Sequence, residues 1–99
     1  DLRKDSSSFL HYGSLKLSNE NNKVLFLPRG FAHGFLSLEE NTLVSYKLDN
    51  YYSKKYEYTL KWDDPDLNIK WPKGNKFFIS KKDLCGLSLK ELERNNVLE

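Results

Sequence analysis

The sequence predicts an all-β fold, a sandwich or barrel built from antiparallel hairpins. Six Phe, six Tyr and two Trp make the chain 14% aromatic, and they fall with Val, Leu and Ile in short runs of strand composition. Polar clusters of hairpin length separate those runs. Within several of them apolar and polar side chains alternate with the two-residue period of a strand. No repeat, low-complexity tract or linker breaks the stretch from Asp1 to about Ile79.

Ser14 to Leu17 alternates small or charged residues with leucine, Asn19 to Asn22 is a polar turn, and Lys23 to Leu27 is a compact apolar run stopped by Pro28 and Gly30. Together they predict a first hairpin. Phe35 to Leu38 follows Gly34, and Glu39 to Asn41 turns the chain. Thr42 to Leu48 then puts Val44, Tyr46 and Leu48 on one face and Leu43, Ser45 and Lys47 on the other. A second hairpin is implied. Tyr56 to Trp62 is a further alternating strand, after which Pro65, within Asp63 to Asp66, forces an irregular connection toward Ile69 and Trp71. Phe77 to Ile79 reads as one short strand. In Ser88-Leu89-Lys90-Glu91 a hydroxyl and a glutamate stand at the spacing that satisfies the first free amides of a helix. A helical tail is therefore expected from about residue 88. Leu89 and Leu92 dock it, because so short a helix is marginal without tertiary contacts.

Ninety-nine residues suffice for one small domain with a single core. A composition of 38% hydrophobic and 30% charged residues is that of an ordinary soluble globular protein. Sixteen Lys plus Arg against fourteen Asp plus Glu leave a net charge of +2, and both signs are scattered, so no basic stripe points to nucleic acid. The longest apolar stretches fall far short of the roughly 20 residues that cross a bilayer. The expectation is a cytoplasmic protein with neither a membrane nor a nucleic-acid partner. The single cysteine, Cys85, has no internal disulfide partner, and with His11 and His33 it gives three soft ligands where a structural zinc site takes four. Asp63, Asp64 and Asp66 lack the glycine and closing glutamate of a calcium loop, so no metal is expected. The chain has no Met and opens on Asp1-Leu2-Arg3, so the expectation is a piece of something longer.

Leu27-Pro28-Arg29-Gly30-Phe31-Ala32-His33-Gly34-Phe35 is the most unusual segment: two glycines bracket a histidine set between phenylalanines at the mouth of a hairpin. A histidine so placed either donates to an anionic or carbonyl group of a ligand or hydrogen-bonds its own backbone in a tight turn. Tyr46, on the face of Val44 and Leu48, reads from spacing alone as a core tyrosine with a satisfied hydroxyl. Tyr51, Tyr52, Tyr56 and Tyr58 lie among Lys54, Lys55, Glu57 and Lys61. Aromatic faces beside cations suit a phosphate-bearing base or sugar, and equally an ordinary strand rim. Lys81-Lys82-Asp83 reads as a solvated charged patch, and His11 has no partner in the pattern.

Five motifs in order carry a resemblance. They are Asp1-Leu2-Arg3-Lys4; Leu27 to Phe35; Tyr46-Lys47 with Tyr51-Tyr52; Trp62-Asp63-Asp64-Pro65 with Ile69-Lys70-Trp71-Pro72; and Ser80-Lys81-Lys82-Asp83. Through them the chain closely resembles the dTDP-4-dehydrorhamnose 3,5-epimerases, over essentially its whole length but over only the C-terminal half or so of the family's chain. The resemblance implies a cupin-type jelly roll, of which residues 1–99 form the C-terminal part. It also implies a homodimeric enzyme of L-rhamnose precursor synthesis that works without cofactor or metal. Such enzymes invert C3 and C5 of a 4-keto sugar: each proton removed leaves an enolate, which is reprotonated on the opposite face.

Residue by residue, Tyr46 matches the family's proton donor, a task suited to a phenol, which ordinarily keeps its proton at neutral pH. Asp83 matches the carboxylate that orients and charges the catalytic histidine. His33, Glu57 and Lys82 match substrate-binding positions, with Lys82 placed for phosphate or sugar oxygens, and one of Tyr51 and Tyr52 stacks on the thymine. The family's catalytic base belongs to an Arg-Gly-Leu-His-type motif upstream of the Asp-Leu-Arg segment. That motif, the enolate-stabilising lysine and several arginine contacts are not in this sequence, and neither His11 nor His33 matches the base. Ser7 stands where many members carry proline. The 99 residues are therefore expected to be inactive alone. The alternatives are a single-centre epimerase of another deoxysugar, a non-catalytic nucleotide-sugar-binding or truncated cupin fragment, and a β domain that pairs its open edge with another chain.

Overall fold

The computed structural model describes residues 1–73 and 76–98. Order is concentrated where sequence-local chemistry can create it. A 3-10 turn spans Lys54–Tyr56, helix α1 spans Lys81–Leu84 and helix α2 spans Leu89–Arg94.

Helix α2 begins as Ser88-x-x-Glu91 predicts. The Glu91 amide donates to Ser88 Oγ at 3.3 Å, and the Ser88 amide donates back to Glu91 Oε2 at 2.7 Å, a complete capping box. Its C-terminus closes in a Schellman turn. Asn96 adopts φ +53°, its amide reaches Glu93 O at 3.1 Å, and the Val97 amide reaches Leu92 O at 3.0 Å. Between these stops the helix buries Leu89 and Leu92, which with Leu98 form the core, and Leu2, Leu10, Leu60, Leu67, Leu87 and Val97 pack around them. The chain's first residues, its middle and its helical tail thus meet in one small cluster.

Asp64 ties the Trp62–Pro65 connection to that core. Its carboxylate is buried, with Oδ1 accepting from the amides of Asp66 at 2.9 Å and Leu67 at 3.3 Å, and Oδ2 accepting from the amide of Leu89 at 2.9 Å. Leu89 opens α2, so Asp64 satisfies one of the free amides that every helix start presents. Nearby, Trp62 meets Trp71 and Phe77 edge-on, at centroid separations of 6.4 and 5.9 Å, and Trp71 Nε1 donates to Trp62 O at 2.8 Å.

The strands expected at 14–17, 23–27, 35–38, 42–48 and 77–79 form no ladder. Among the described residues the one β contact is a parallel bridge between Leu60 and Leu87, made by Leu87 N–H to Thr59 O and Lys61 N–H to Leu87 O, each 2.8 Å. The strand expected over Tyr56 to Trp62 thus starts in the 3-10 turn and pairs only at this bridge. From residue 12 to 52, the backbone–backbone hydrogen bonds among the described residues reduce to one, in which Gly30 O accepts from Leu2 N–H at 2.9 Å.

The turns between those runs do form, held by side chains. Ser18 and Asn21 exchange bonds to each other's amides, both 3.2 Å, with Asn22 at φ +52°. Ser37 Oγ and Thr42 Oγ1 both donate to Glu39 O at 2.7 Å, with Asn41 at φ +56°. Turn geometry is a matter of a few adjacent residues, whereas a two-stranded hairpin needs further strands or a covering layer to persist in water. The apolar side chains of these runs face solvent accordingly: Val24, Phe26, Leu43 and Phe78 are all more than four-fifths exposed. The two-residue period survives at 24–27, where Leu25 and Leu27 are only about half as exposed as Val24 and Phe26.

Candidate functional site

The first and second sequence motifs meet. Leu2 N–H reaches Gly30 O, and the Arg3 guanidinium lies over the Phe31 ring, 4.8 Å from its centroid. Arg3 is fixed from behind by Asp1, whose carboxylate takes Nε at 2.9 Å and Nη2 at 2.8 Å, as well as the hydroxyls of Ser6 and Ser8. Gly30 adopts φ +84°, and a Cβ there would run into the Arg3 side chain, so glycine is required for both reasons. Gly34 has open space at its Cβ position and is under no such constraint. This latch fixes the start of the turn that carries His33. The histidine itself is exposed, and its imidazole takes no hydrogen bond among the described residues.

Three predicted site residues from two distant segments converge. The 3-10 turn, closed by Tyr56 N–H to Ser53 O at 3.0 Å and Glu57 N–H to Lys54 O at 3.3 Å, delivers Glu57 beside Tyr52. The Tyr52 hydroxyl donates to Glu57 Oε2 at 2.6 Å, and the Lys82 ammonium donates to Glu57 Oε1. Lys82 is carried by α1, whose start is set by Ser80: Ser80 Oγ accepts from the Asp83 amide at 3.1 Å and donates to Asp83 Oδ2 at 2.8 Å. Asp83 therefore has one oxygen engaged in the cap. Its Oδ1 takes no hydrogen bond among the described residues.

The electrostatics follow from that geometry. The hydrogen bond from Lys82, then that from Tyr52, hold the Glu57 carboxyl below the usual carboxylate range. The bond to Glu57 raises Lys82 above the usual lysine value, with the nearby Asp83 charge adding to it. Tyr52 is raised above 10.0, chiefly because its proton is shared with the Glu57 carboxylate, and Tyr46 is near enough to act in the same direction. Around neutral pH the cluster is thus an ammonium, a carboxylate and a neutral phenol.

Tyr46, Tyr52, Glu57, Lys82 and Asp83 therefore share one neighbourhood, whereas among the described residues no side-chain hydrogen bond or ion pair joins His33 or Tyr51 to it. The Tyr51 ring is almost fully exposed and only its amide is tied, to Asn50 Oδ1 at 2.8 Å. Tyr46 is 77% exposed, so the core role that spacing alone assigns it does not hold in this chain, although Val44 on the same face is only 44% exposed against 93% for Leu43 on the other. Among the described residues no three His, Cys, Asp or Glu side chains are grouped as metal ligands, and no helix is long and apolar enough to cross a membrane.

The sequence model of the dTDP-4-dehydrorhamnose 3,5-epimerases matches residues 1–91. The chain belongs to the dTDP-4-dehydrorhamnose 3,5-epimerase family. Among proteins so named, that of Sinorhizobium fredii is 44% identical over 92 residues, which are 93% of this chain and 47% of that protein. That of Methanothermobacter thermautotrophicus is 41% identical, over 92% of this chain and 50% of its own length, and that of Shigella flexneri 42%, over 87% and 47%. The chain spans about half the length of these curated relatives. No solved structure matches it. The epimerase family has a cupin-type fold, while among the described residues of this chain the one β contact is the Leu60–Leu87 bridge.

Two devices at the site are not singled out by sequence reading. The Ser80 cap was readable in principle, since Ser80-Lys81-Lys82-Asp83 has the same hydroxyl-to-acid spacing as the α2 capping box. The Arg3–Gly30 latch joins residues far apart in sequence, and no local signal announces it.

Proposed function

We propose that this chain provides the proton donor, the histidine-orienting carboxylate and part of the nucleotide-sugar pocket of a dTDP-4-dehydrorhamnose 3,5-epimerase. The substrate in this reading is dTDP-4-keto-6-deoxy-D-glucose and the product dTDP-4-keto-L-rhamnose. The observation that carries it is the convergence of Tyr52, Glu57 and Lys82, with Tyr46 and Asp83 in the same electrostatic neighbourhood. These five residues are the ones that the resemblance to the family singles out, Glu57 by position and the others within its motifs.

In the proposed reaction a base takes the proton from C3, and in a separate turn from C5. Each C–H bonding pair moves into the ring as an enolate whose charge rests on the C4 oxygen. The Tyr46 phenol then gives its proton to the opposite face of that carbon, the enolate collapses to the ketone, and the phenolate recovers a proton from solvent. Lys82 meets phosphate or sugar oxygens, His33 contacts the sugar, and a ring from the Tyr51–Tyr52 pair stacks on thymine. Asp83 orients and charges the histidine base, which another part of the enzyme supplies. Its unengaged Oδ1 suits that task. The working unit is a cytoplasmic homodimer.

The same reading assigns residues 1–99 to part of a single jelly-roll domain. The unpaired runs at 23–27 and 42–48 take their ladder partners from strands outside these residues, which accounts for their exposed Val24, Phe26 and Leu43. Incubation in deuterated water with the 4-keto substrate tests the whole. The 99 residues alone are expected to leave C3 and C5 protonated, and a chain extended upstream to include the catalytic histidine is expected to exchange both. Rapid exchange by the 99 residues alone defeats this account of the base. Exchange at C5 alone in the extended chain replaces it with a single-centre epimerase.

A further inference from the structure

Glu57 is the one residue that touches both of the other members of the cluster, and it is the least exposed of the three. Its side chain is 30% exposed, against 58% for that of Lys82, while Tyr52 as a whole is 64% exposed. Both of its oxygens are engaged, Oε1 by the ammonium and Oε2 by the phenol. A carboxylate held in its charged form repels a diphosphate, so a direct contact between the two is unfavourable. Its neighbours have the opposite properties. An ammonium carries three donors, of which Glu57 uses one, leaving two for phosphate oxygens. The Tyr52 hydroxyl is committed to Glu57, but its ring faces remain open for stacking on a base.

We propose that Glu57 is a positioning residue: by bridging Lys82 on α1 to Tyr52 ahead of the 3-10 turn, it fixes a phosphate-binding cation and a base-stacking ring at one separation, matched to a nucleoside diphosphate. This rests on the nucleotide-sugar reading above and adds to it how Glu57 acts. Without the bridge, Lys82 and Tyr52 are two long, exposed side chains on separate segments, and each must be ordered by the ligand at a cost in affinity. The opposed charges around the cluster fit the same role. Lys54 lies near Glu57 and Asp83 near Lys82, so each charge of the bridge keeps a neighbour of opposite sign when its partner is removed.

Two measurements on the 99-residue chain separate this proposal from the reading it rests on. The first needs no ligand. The phenol of Tyr52, assigned by difference from Tyr52→Phe, is followed by phenolate absorbance as pH rises. It is expected to titrate above 10.0, to fall back toward that value in Glu57→Ala, and to move further up in Lys82→Met, because the ammonium opposes the carboxylate. A Tyr52 titration unmoved by Glu57→Ala overturns the bridge, whatever binds.

The second is calorimetric titration with dTDP. Glu57→Ala is expected to weaken binding roughly tenfold or more, the size of a lost charged hydrogen bond. Glu57→Gln, which keeps an acceptor for Tyr52 but loses the ion pair, is expected to fall between. The decisive comparison is the triple variant Glu57→Ala, Lys82→Ala, Tyr52→Ala, expected to bind no more weakly than Lys82→Ala, Tyr52→Ala. A further loss on adding Glu57→Ala to that pair shows direct contact with the nucleotide and overturns the positioning role. If the unmodified chain gives no heat with dTDP, the presentation of a nucleoside diphosphate falls, even where the Tyr52 titration upholds the bridge.

Discussion

Residues 12–52 are richer in apolar side chains than the segments flanking them, yet it is the flanks that build the core. The flanking segments close two helices, a bridge and a leucine core, and the buried Asp64 carboxylate has a partner on each oxygen. The middle segment closes its turns but no ladder: among the described residues its backbone makes one bond to other backbone, and Val24, Phe26 and Leu43 face water. The difference teaches which interactions a short chain completes by itself. Caps and turns join groups three or four residues apart and need little loop closure, whereas a ladder needs a second strand in register. A capped helix of six residues can dock on leucines from three segments. A strand with no neighbour on either edge has nowhere to place its alternate side chains.

The sharpest way to break this contrast is to delete matched leucines from the two regions. Leu92→Ala removes a 2% exposed side chain from the centre of the core and is expected to cost about 2–5 kcal/mol. Leu43→Ala removes a 93% exposed one and is expected to change stability by less than about 0.5 kcal/mol. Urea unfolding of both reads the difference. Hydrogen exchange supplies the control, because amides from 12 to 52 are expected to exchange fast and that of Leu92 slowly. Equal costs for the two leucines would mean that the middle segment has a packed face after all.

Legibility divides along the same line. The α2 cap, the Asn19–Asn22 and Glu39–Asn41 turns and the Pro65 connection were readable because each is written within a few residues. The strands were equally readable as runs, but a run becomes a strand only when paired, and pairing is a property of whatever lies beside it. Tyr46 shows the consequence for the site: its spacing signals a core side chain, yet it is 77% exposed. The Tyr52–Glu57–Lys82 cluster lay between these extremes. Its residues were named from the family resemblance, whereas the contact of Glu57 with Lys82 across 25 positions needed the 3-10 turn and α1 to be built first.

The Asp64 clamp offers the next largest test. Asp64→Asn keeps the shape but turns an amide toward a backbone N–H, so one buried donor at Leu89, Asp66 or Leu67 loses its acceptor. The expected cost is about 1–3 kcal/mol, with α2 losing helical signal together with the core rather than after it. A variant as stable as the parent would show that water replaces the lost acceptor and that the clamp does not hold the connection to the helix.

Ser88→Ala sits lower, at about 1 kcal/mol for a lost N-cap, and it frames the smallest effect, the pH dependence of the same cap. Hydrogen bonds from the Ser88 amide, then from its hydroxyl, hold Glu91 below its ordinary 4.5. A carboxyl whose folded value is depressed contributes stability that is fully present above its unfolded value and is lost as pH falls through the folded one. Helix α2 is therefore expected to hold its far-ultraviolet signal as pH drops to about 4.5 and to lose part of it below. Glu91→Gln keeps an acceptor for the Ser88 amide without the titration, so its helical signal should stay level across that window. The middle segment has no cap to titrate, so residues 12–52 should show no matching transition there. If Glu91→Gln loses helix over the same range as the parent, another carboxylate governs the acid limit and the capping box does not.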